Sequence, residues 1–202
     1  MASLAAPGSA ELLLRETVHR CGNDLQLVMG LLALQSRRAT APEARAALAD
    51  ATERVAVLAR ARRALDRAPS LEAAFRGVCE ALHAHAEPRG ISLSLDCGQG
   101  EPTLDPGRVT TLALVVNELA TNAIKHAFDE GVGGRISIAA RRLDERTVSV
   151  VVDDDGLPFP EPGERRDGGL GLGLARRLMA SVDGLFIPPP PGSKAFELRV
   201  PA

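Results

Sequence analysis

Apolar residues at Leu14, Val18, Leu25, Val28 and Leu32, completed by Cys21 and Gln35, repeat at a strict 4,3,4,3 spacing between Ala10 and Arg38. Such a repeat keeps one stripe on one side of a helix and is satisfied by another helix lying alongside. Thr40 and Pro42 then form an N-cap region with proline in the first turn, and Ala44, Leu48, Ala51, Val55, Leu58 and Leu65 carry the spacing on to about Arg67. The spacing therefore predicts a helical hairpin. Leu27, Leu31 and Leu34 flank the first seam and widen it beyond what one partner helix covers. Two hairpins are expected to pair into a dimeric four-helix bundle.

The stretch Arg67 to Ser70, "RAPS", marks a boundary and divides the chain into an N-terminal domain, 1–68, and a second domain, 69–202. Beyond it the texture changes. Leu71 to Ala86 reads as a helix with Ser70 as N-cap and Glu72 in its first turn, and "GISLSLDC" alternates as a strand does. Asp105 to Phe128 reads as a long helix, "RISIAARRL" and "TVSVVVDD" as paired strands, Gly173 to Val182 as a further helix and "AFELRVPA" as a closing strand. Strands mixed irregularly with helices predict an α+β sandwich, not a doubly wound parallel sheet.

Composition narrows the function. With five Phe and no Trp or Tyr, the chain is poorly equipped to stack on bases, and its net charge of −2 lacks the basic surplus of a phosphate-backbone binder. No nucleic-acid partner is expected. Cys21, Cys79 and Cys97 lie far apart without a C-x-x-C pair, so neither a zinc site nor a disulfide framework is indicated. The N-terminus has no basic n-region, and its longest leucine run is Leu12 to Leu14, too short for a signal peptide or a membrane span. A cytoplasmic protein is expected.

Three stretches of the second domain carry chemistry. In "VVNELATNAIKHAF", Glu118, Asn122 and Lys125 are spaced by four and three residues and share one helix face. A carboxylate, an amide oxygen and an ammonium on one face suit a Mg-triphosphate, which needs hard oxygen ligands for the metal and a cation for the phosphates. "VVDDDGLPFP" ends an apolar strand in Asp153, Asp154 and Asp155 before Gly156. An aspartate there can accept a hydrogen bond from an adenine amino group, and the glycine allows a close backbone approach. "GGLGLGLARRL" places Gly168, Gly169, Gly171 and Gly173 just before a helix, where backbone N–H groups suit phosphate oxygens. It is neither a Walker loop nor a dinucleotide fingerprint.

In order and spacing these stretches resemble the histidine kinases of the HWE and His-Arg-x-x-Asn type, within the GHKL ATPase superfamily. The resemblance runs over nearly the whole chain. It implies that the hairpin is a dimerisation and histidine phosphotransfer domain and that Leu71 onward is a GHKL-type ATP-binding domain. "HRCGN" would be the phospho-acceptor box with His19 as the phosphorylated residue. "NELATNAIKHAF" is similar to the N box, with Asn122 holding Mg²⁺ and Glu118 and Lys125 lining the phosphate side. "DDDG" resembles the first glycine box with Asp154 as the adenine-binding aspartate beside Gly156, and "GLGLGL" resembles the second, with Gly169, Gly171 and Gly173 at the end of the ATP lid. The first box usually reads D-x-G-x-G; here Pro158 stands at the second glycine.

Phosphoryl transfer to imidazole needs a neutral ring whose second nitrogen is held in one tautomer. Arg20 is a permanent cation, excluded as a base and suited to offsetting phosphate charge. Glu16 at i−3 and Asn23 at i+4 share the His19 face and either can orient the ring; Glu16 is expected to do so. The leading expectation is an ATP-dependent protein histidine kinase, a transferase and phosphoprotein acting as a homodimer with ATP and Mg²⁺. It passes the phosphoryl group to an aspartate of a response-regulator receiver domain in two-component signalling. No sensory segment precedes the hairpin, so a separate sensor protein is the expected source of any signal. Two alternatives stay open. One is a histidine phosphotransferase or docking module with a degenerate ATP domain. The other is a GHKL-type serine kinase or anti-sigma factor, which leaves His19 and the hairpin without a role.

Overall fold

The computed structural model describes residues 25, 27–67, 70–98, 104–157, 170–190 and 192–202. The chain divides into two compact units, one ending at Ala59 and the other beginning at Arg60. Helix α1 covers residues 27–38 and helix α2 covers Pro42–Arg67, as the heptad spacing requires. The corner between them is closed by short-range bonds. Gln35 O accepts the Ala39 N–H at 2.9 Å, Ala39 O accepts from the Arg45 guanidinium at 3.1 Å, and Arg45 O accepts from Ser36 Oγ at 3.3 Å. Along α1, Leu27, Val28, Leu31 and Leu34 are exposed, Leu27 by 65%.

The second unit is the expected α+β arrangement. Helix α3 runs Leu71–Ala86 from the expected N-cap: Ser70 Oγ accepts the Ala73 N–H at 3.0 Å. A 3-10 turn, Glu87–Arg89, leads through Gly90 into strand β1, Ile91–Asp96. Helix α4, Pro106–His126, starts at Asp105, whose Oδ1 accepts from Gly107 N at 2.9 Å and Arg108 N at 3.1 Å. Proline follows at the first helical position, where its missing N–H costs nothing. Strands β2, Gly134–Asp144, and β3, Thr147–Asp154, form an antiparallel hairpin. Helix α5, Leu170–Ala180, a short strand β4, Leu185–Ile187, and strand β5, Phe196–Pro201, complete the described elements.

The sheet order is β1-β2-β3-β5-β4, with β1 parallel to β2 and the other pairs antiparallel. Helix α4 crosses over between β1 and β2 and packs on β2, β3 and β5, with α3 and α5 against it on either side. Register builds the core. Ile138 faces Val152, Ala140 faces Val150, and Val150 and Val152 in turn face Leu198 and Phe196, all of them buried. On the helix side Leu112, Val116 and Leu119 of α4 and Phe75 of α3 are buried as well. At about 1.5–3 kcal/mol for each large aliphatic or aromatic side chain removed from water, this layer supplies the main folding force of the unit.

Two details differ from expectation. Helix α5 is described from Leu170, not from Gly173, so Gly171 and Gly173 lie inside its first turn. Leucines at 170, 172 and 174 favour the helix strongly enough to absorb glycines that each cost about 1 kcal/mol relative to alanine. Strand β4 was not expected, because three residues are too few to show an alternation. Among the described residues, no helix is long and apolar enough to cross a membrane.

Candidate functional site

Alternation along β3 sorts its three consecutive aspartates. Val148, Val150 and Val152 are buried under the helices, and Asp154, next in the same parity and opposite Ile136, is the last rung on that face. Asp153 belongs to the other face, opposite Ser137, and its carboxylate accepts the Asp154 N–H at 3.0 Å. Asp155 is held by the start of β2: its Oδ1 accepts the Arg135 N–H at 2.6 Å, and its own N–H is bonded to Arg135 O at 3.1 Å. Asp153 and Asp154 are both half-buried and Asp155 is exposed, but only Asp154 lies on the face that the helices cover.

Its electrostatics follow from that position. Burial raises the Asp154 carboxyl above the usual carboxylate range; the Gly156 N–H and the Lys194 ammonium pull it down, and Asp153 and Asp155 push it up. Oδ1 accepts the Gly156 N–H at 3.0 Å, an Asx-type turn that fixes the carboxylate relative to the loop. The other oxygen, Oδ2, is a second acceptor on the same rigid group.

The loop after β3 is stitched to helix α4. Leu157 N–H donates to Ala127 O at 2.6 Å, directly past the helix end. Gly156 packs against the same carbonyl so closely that no side chain fits. Arg89 closes the rest of that end, its guanidinium donating to Ile124 O and, at 2.9 Å, to Phe128 O. Positive charge at a helix C-terminus is favourable in its own right. Lys194, just before β5, donates from Nζ to Gly156 O. The aspartate turn is thus held by both the helix and the last strand.

Helix α4 presents the other candidates. Glu118 is buried, Asn122 is half-buried and Lys125 is exposed, on successive turns of one face. At the edge of this face, one turn apart, Asn117 Oδ1 and Thr121 Oγ1 are buried without a hydrogen-bond partner among the described residues. Buried polar atoms left unpaired are uncommon and are normally satisfied by bound water or ligand. Neither residue stood out in the sequence, where they read as polar members of the helix. Among the described residues, no group of three or more His, Cys, Asp and Glu is placed to hold a metal ion, and neither Cys79 nor Cys97 is in a disulfide. The donor set fits a hard divalent ion only when one amide or carboxylate oxygen is supplemented by phosphate oxygens and water, which is how Mg²⁺ binds beside nucleotides.

Of the other expected site residues, Gly173 is exposed with open space around it, and Gly171 precedes it in α5. N–H groups in a first helical turn have no intrahelical partner and remain available to an anion. Glu16, His19, Arg20, Asn23 and Gly169 lie outside the described residues, as does Pro158. The sequence reading passed over Lys194 and Arg89. Neither carried a local signal, because the partner of Lys194 lies 38 residues away and those of Arg89 lie 35 and 39 residues away.

Residues 34–184 match the family described as "Histidine kinase-like ATPase domain". The sensor histidine kinase PdtaS of Mycobacterium tuberculosis is 36% identical over 186 residues, which is 87% of this chain and 36% of that protein. The chain thus spans little more than a third of that relative's length. Among solved structures, the blue-light activated histidine kinase of Erythrobacter litoralis superposes over 100% of this chain and 62% of its own, with a TM-score of 0.72 at 19% identity. Full-length ShkA in complex with AMPPNP covers 93% of this chain and 45% of its own, with a TM-score of 0.53 at 24% identity.

Proposed function

The chain belongs to the histidine kinase-like ATPase domain family, and from that premise we propose that it is an ATP-dependent protein histidine kinase of the HWE and His-Arg-x-x-Asn type. It autophosphorylates His19 and passes the phosphoryl group to an aspartate on a response-regulator receiver domain. The observation that carries the nucleotide part is the tie between Asp154 and α4. The last helix-facing residue of β3 is a half-buried carboxylate, and its turn is bonded to the end of the helix that bears Glu118 and Asn122. A base held at Asp154 would thereby be registered against phosphates held along α4. The bound AMPPNP of ShkA supports the same use of the fold.

Each residue has a stated task. Asp154 accepts the adenine amino group, and Gly156 permits the tight turn that aims it. Asn122 contributes an amide oxygen to Mg²⁺, with Glu118 and Lys125 on the phosphate side. Mg²⁺ held there would supply positive charge against that of the phosphates. N–H groups near Gly169, Gly171 and Gly173 meet phosphate oxygens at the start of α5. His19 attacks the γ-phosphorus through a neutral ring nitrogen while the bond to the bridging oxygen breaks, and ADP leaves with that electron pair. Glu16 holds the N–H of the other ring nitrogen, assisted by Asn23, and Arg20 offsets the phosphate charge. In the second step the phosphoryl group leaves the ring nitrogen for a carboxylate oxygen of the receiver domain.

Residues 1–68 serve as the dimerisation and phosphotransfer hairpin and 69–202 as the ATP-binding domain. The exposed Leu27, Val28, Leu31 and Leu34 support a second copy completing a four-helix bundle, since monomers rarely leave such a stripe in water. ATP dependence suits a cytoplasmic location.

Incubation with γ-labelled ATP and Mg²⁺ tests this reading. Label that survives alkali, is lost in acid, disappears in His19→Ala and moves to a receiver domain is expected. Absence of label together with phosphoryl transfer back from a phosphorylated receiver would replace the kinase by a histidine phosphotransferase with a degenerate ATP domain.

A further inference from the structure

Lys194 occupies a position that the proposed chemistry does not yet use. It lies between Ser193 and β5, half-buried, and reaches across to the β3 loop, where its Nζ donates to the carbonyl oxygen of Gly156. Gly156 is also the residue whose N–H binds the Asp154 carboxylate at 3.0 Å. One peptide-linked residue therefore couples an ammonium to a carboxylate, donating to the acid through its nitrogen and accepting from the base through its oxygen. Among the described residues, Lys194 is also the cation whose charge acts on Asp154, opposing Asp153 and Asp155. Three other basic side chains near the turn, those of Arg135, Lys125 and His126, are exposed. Arg135 meets Asp155 through its backbone N–H, and Lys125 and His126 belong to the last turn of α4.

We propose that Lys194 is a positioning and specificity-determining residue of the base subsite: its ammonium holds the Gly156 carbonyl and places positive charge beside Asp154, favouring a base with an amino group at that edge over one with a carbonyl. The proposal rests on the reading of Asp154 as the adenine acceptor. Adenine presents an amino donor where guanine presents a carbonyl acceptor. An ionised carboxylate bonds the first and repels the second, whereas a protonated carboxyl can donate to the second. Whatever keeps Asp154 ionised therefore enforces adenine. Burial works against ionisation, and Lys194 supplies compensation from the segment that leads into the last strand.

The test uses the full chain with Mg²⁺, a fluorescent ATP analogue as probe, and displacement by ATP or GTP from pH 4.5 to pH 8. Lys194→Gln keeps an N–H donor for Gly156 O and removes the charge, while Lys194→Arg keeps both. Lys194→Gln is expected to lower the preference for ATP over GTP about fivefold, the scale of losing charge assistance from one hydrogen bond. It also shifts the loss of ATP binding on acidification to higher pH. Lys194→Arg is expected to restore both. A role confined to holding the loop would change affinity without moving the pH limb. A Lys194→Gln protein with the parent preference and the parent limb overturns the inference; Lys194→Met serves in the same assay where the Gln variant does not fold. Asp154→Asn separates the two levels. If it loses ATP binding while Lys194→Gln behaves as the parent, only the inference falls. If it binds ATP as the parent does, the base-subsite reading falls and the inference with it.

Discussion

A β-carbon on Gly156 would stand 2.1 Å from the carbonyl oxygen of Ala127, the residue that follows helix α4. That oxygen cannot retreat, because it already accepts the Leu157 N–H at 2.6 Å, and Lys194 holds Gly156 from the other side. Gly156→Ala is therefore expected to cost roughly 2 kcal/mol or more of stability, in the range of forced backbone shifts in packed sites. It should also weaken ATP binding by displacing Asp154. Denaturant unfolding and nucleotide titration measure the two effects, and a variant as stable as the parent would contradict the packing described.

Asn122 is half-buried on the α4 face shared with Glu118, so its amide is not required by the core. Asn122→Ala is expected to leave the melting temperature within a few degrees while lowering Mg-dependent ATP affinity at least about tenfold, the loss of one metal ligand. Adenosine binding without Mg²⁺ should be unchanged. Equal losses with and without the metal would show that Asn122 contacts the nucleoside or the helix core instead.

Asp154 gives a pH prediction whose sign is set by burial. The folded-state pKa is raised, so the unfolded chain releases this proton first as pH rises. The free protein accordingly loses stability through the window between the unfolded and folded values and keeps that deficit at neutral pH. Asp154→Asn should raise the neutral-pH melting temperature slightly, by about a degree or two, and the advantage should vanish in acid, where both states carry the proton. Binding behaves oppositely: ATP affinity of the parent falls as pH drops through the raised pKa. Calorimetry at pH 3.5 and pH 7.5 shows whether the advantage of the variant disappears as stated.

Arg89 holds two carbonyls at the end of α4. Arg89→Met keeps the aliphatic stem and removes both donors, and should destabilise the unit by about 1–3 kcal/mol. Amide exchange should quicken selectively in the last turn of α4 and in the Asp154 loop. Uniform quickening across the sheet would mean that Arg89 serves the whole fold and not this junction.

Local chemistry made much of this architecture readable. Ser70 fixed a helix start because a cap acts within three residues, and the paired strands β2 and β3 were readable from their own short stretches. The face bearing Glu118, Asn122 and Lys125 followed from helical period alone. What stayed hidden depends on distant partners. Nothing near Lys194 in the chain points to Gly156, 38 residues earlier. The burial of Asn117 and Thr121 depends on how α4 is rotated against its neighbours. Gly156 was read as making room for a base, and the structure adds a second demand on it, from Ala127. The glycines at 171 and 173 misled in the other direction, because loop-forming residues were outweighed by the leucines between them.

Of three consecutive aspartates only one stands on the covered face, because side chains along β3 alternate. Inserting or deleting one residue between Val148 and Val152 would bring Asp153 or Asp155 to that place and move Val152 off the covered face. A change of two residues would preserve both patterns. Strand β3 can therefore drift in length only by even steps, and the neighbours of Asp154 are not spare copies of it.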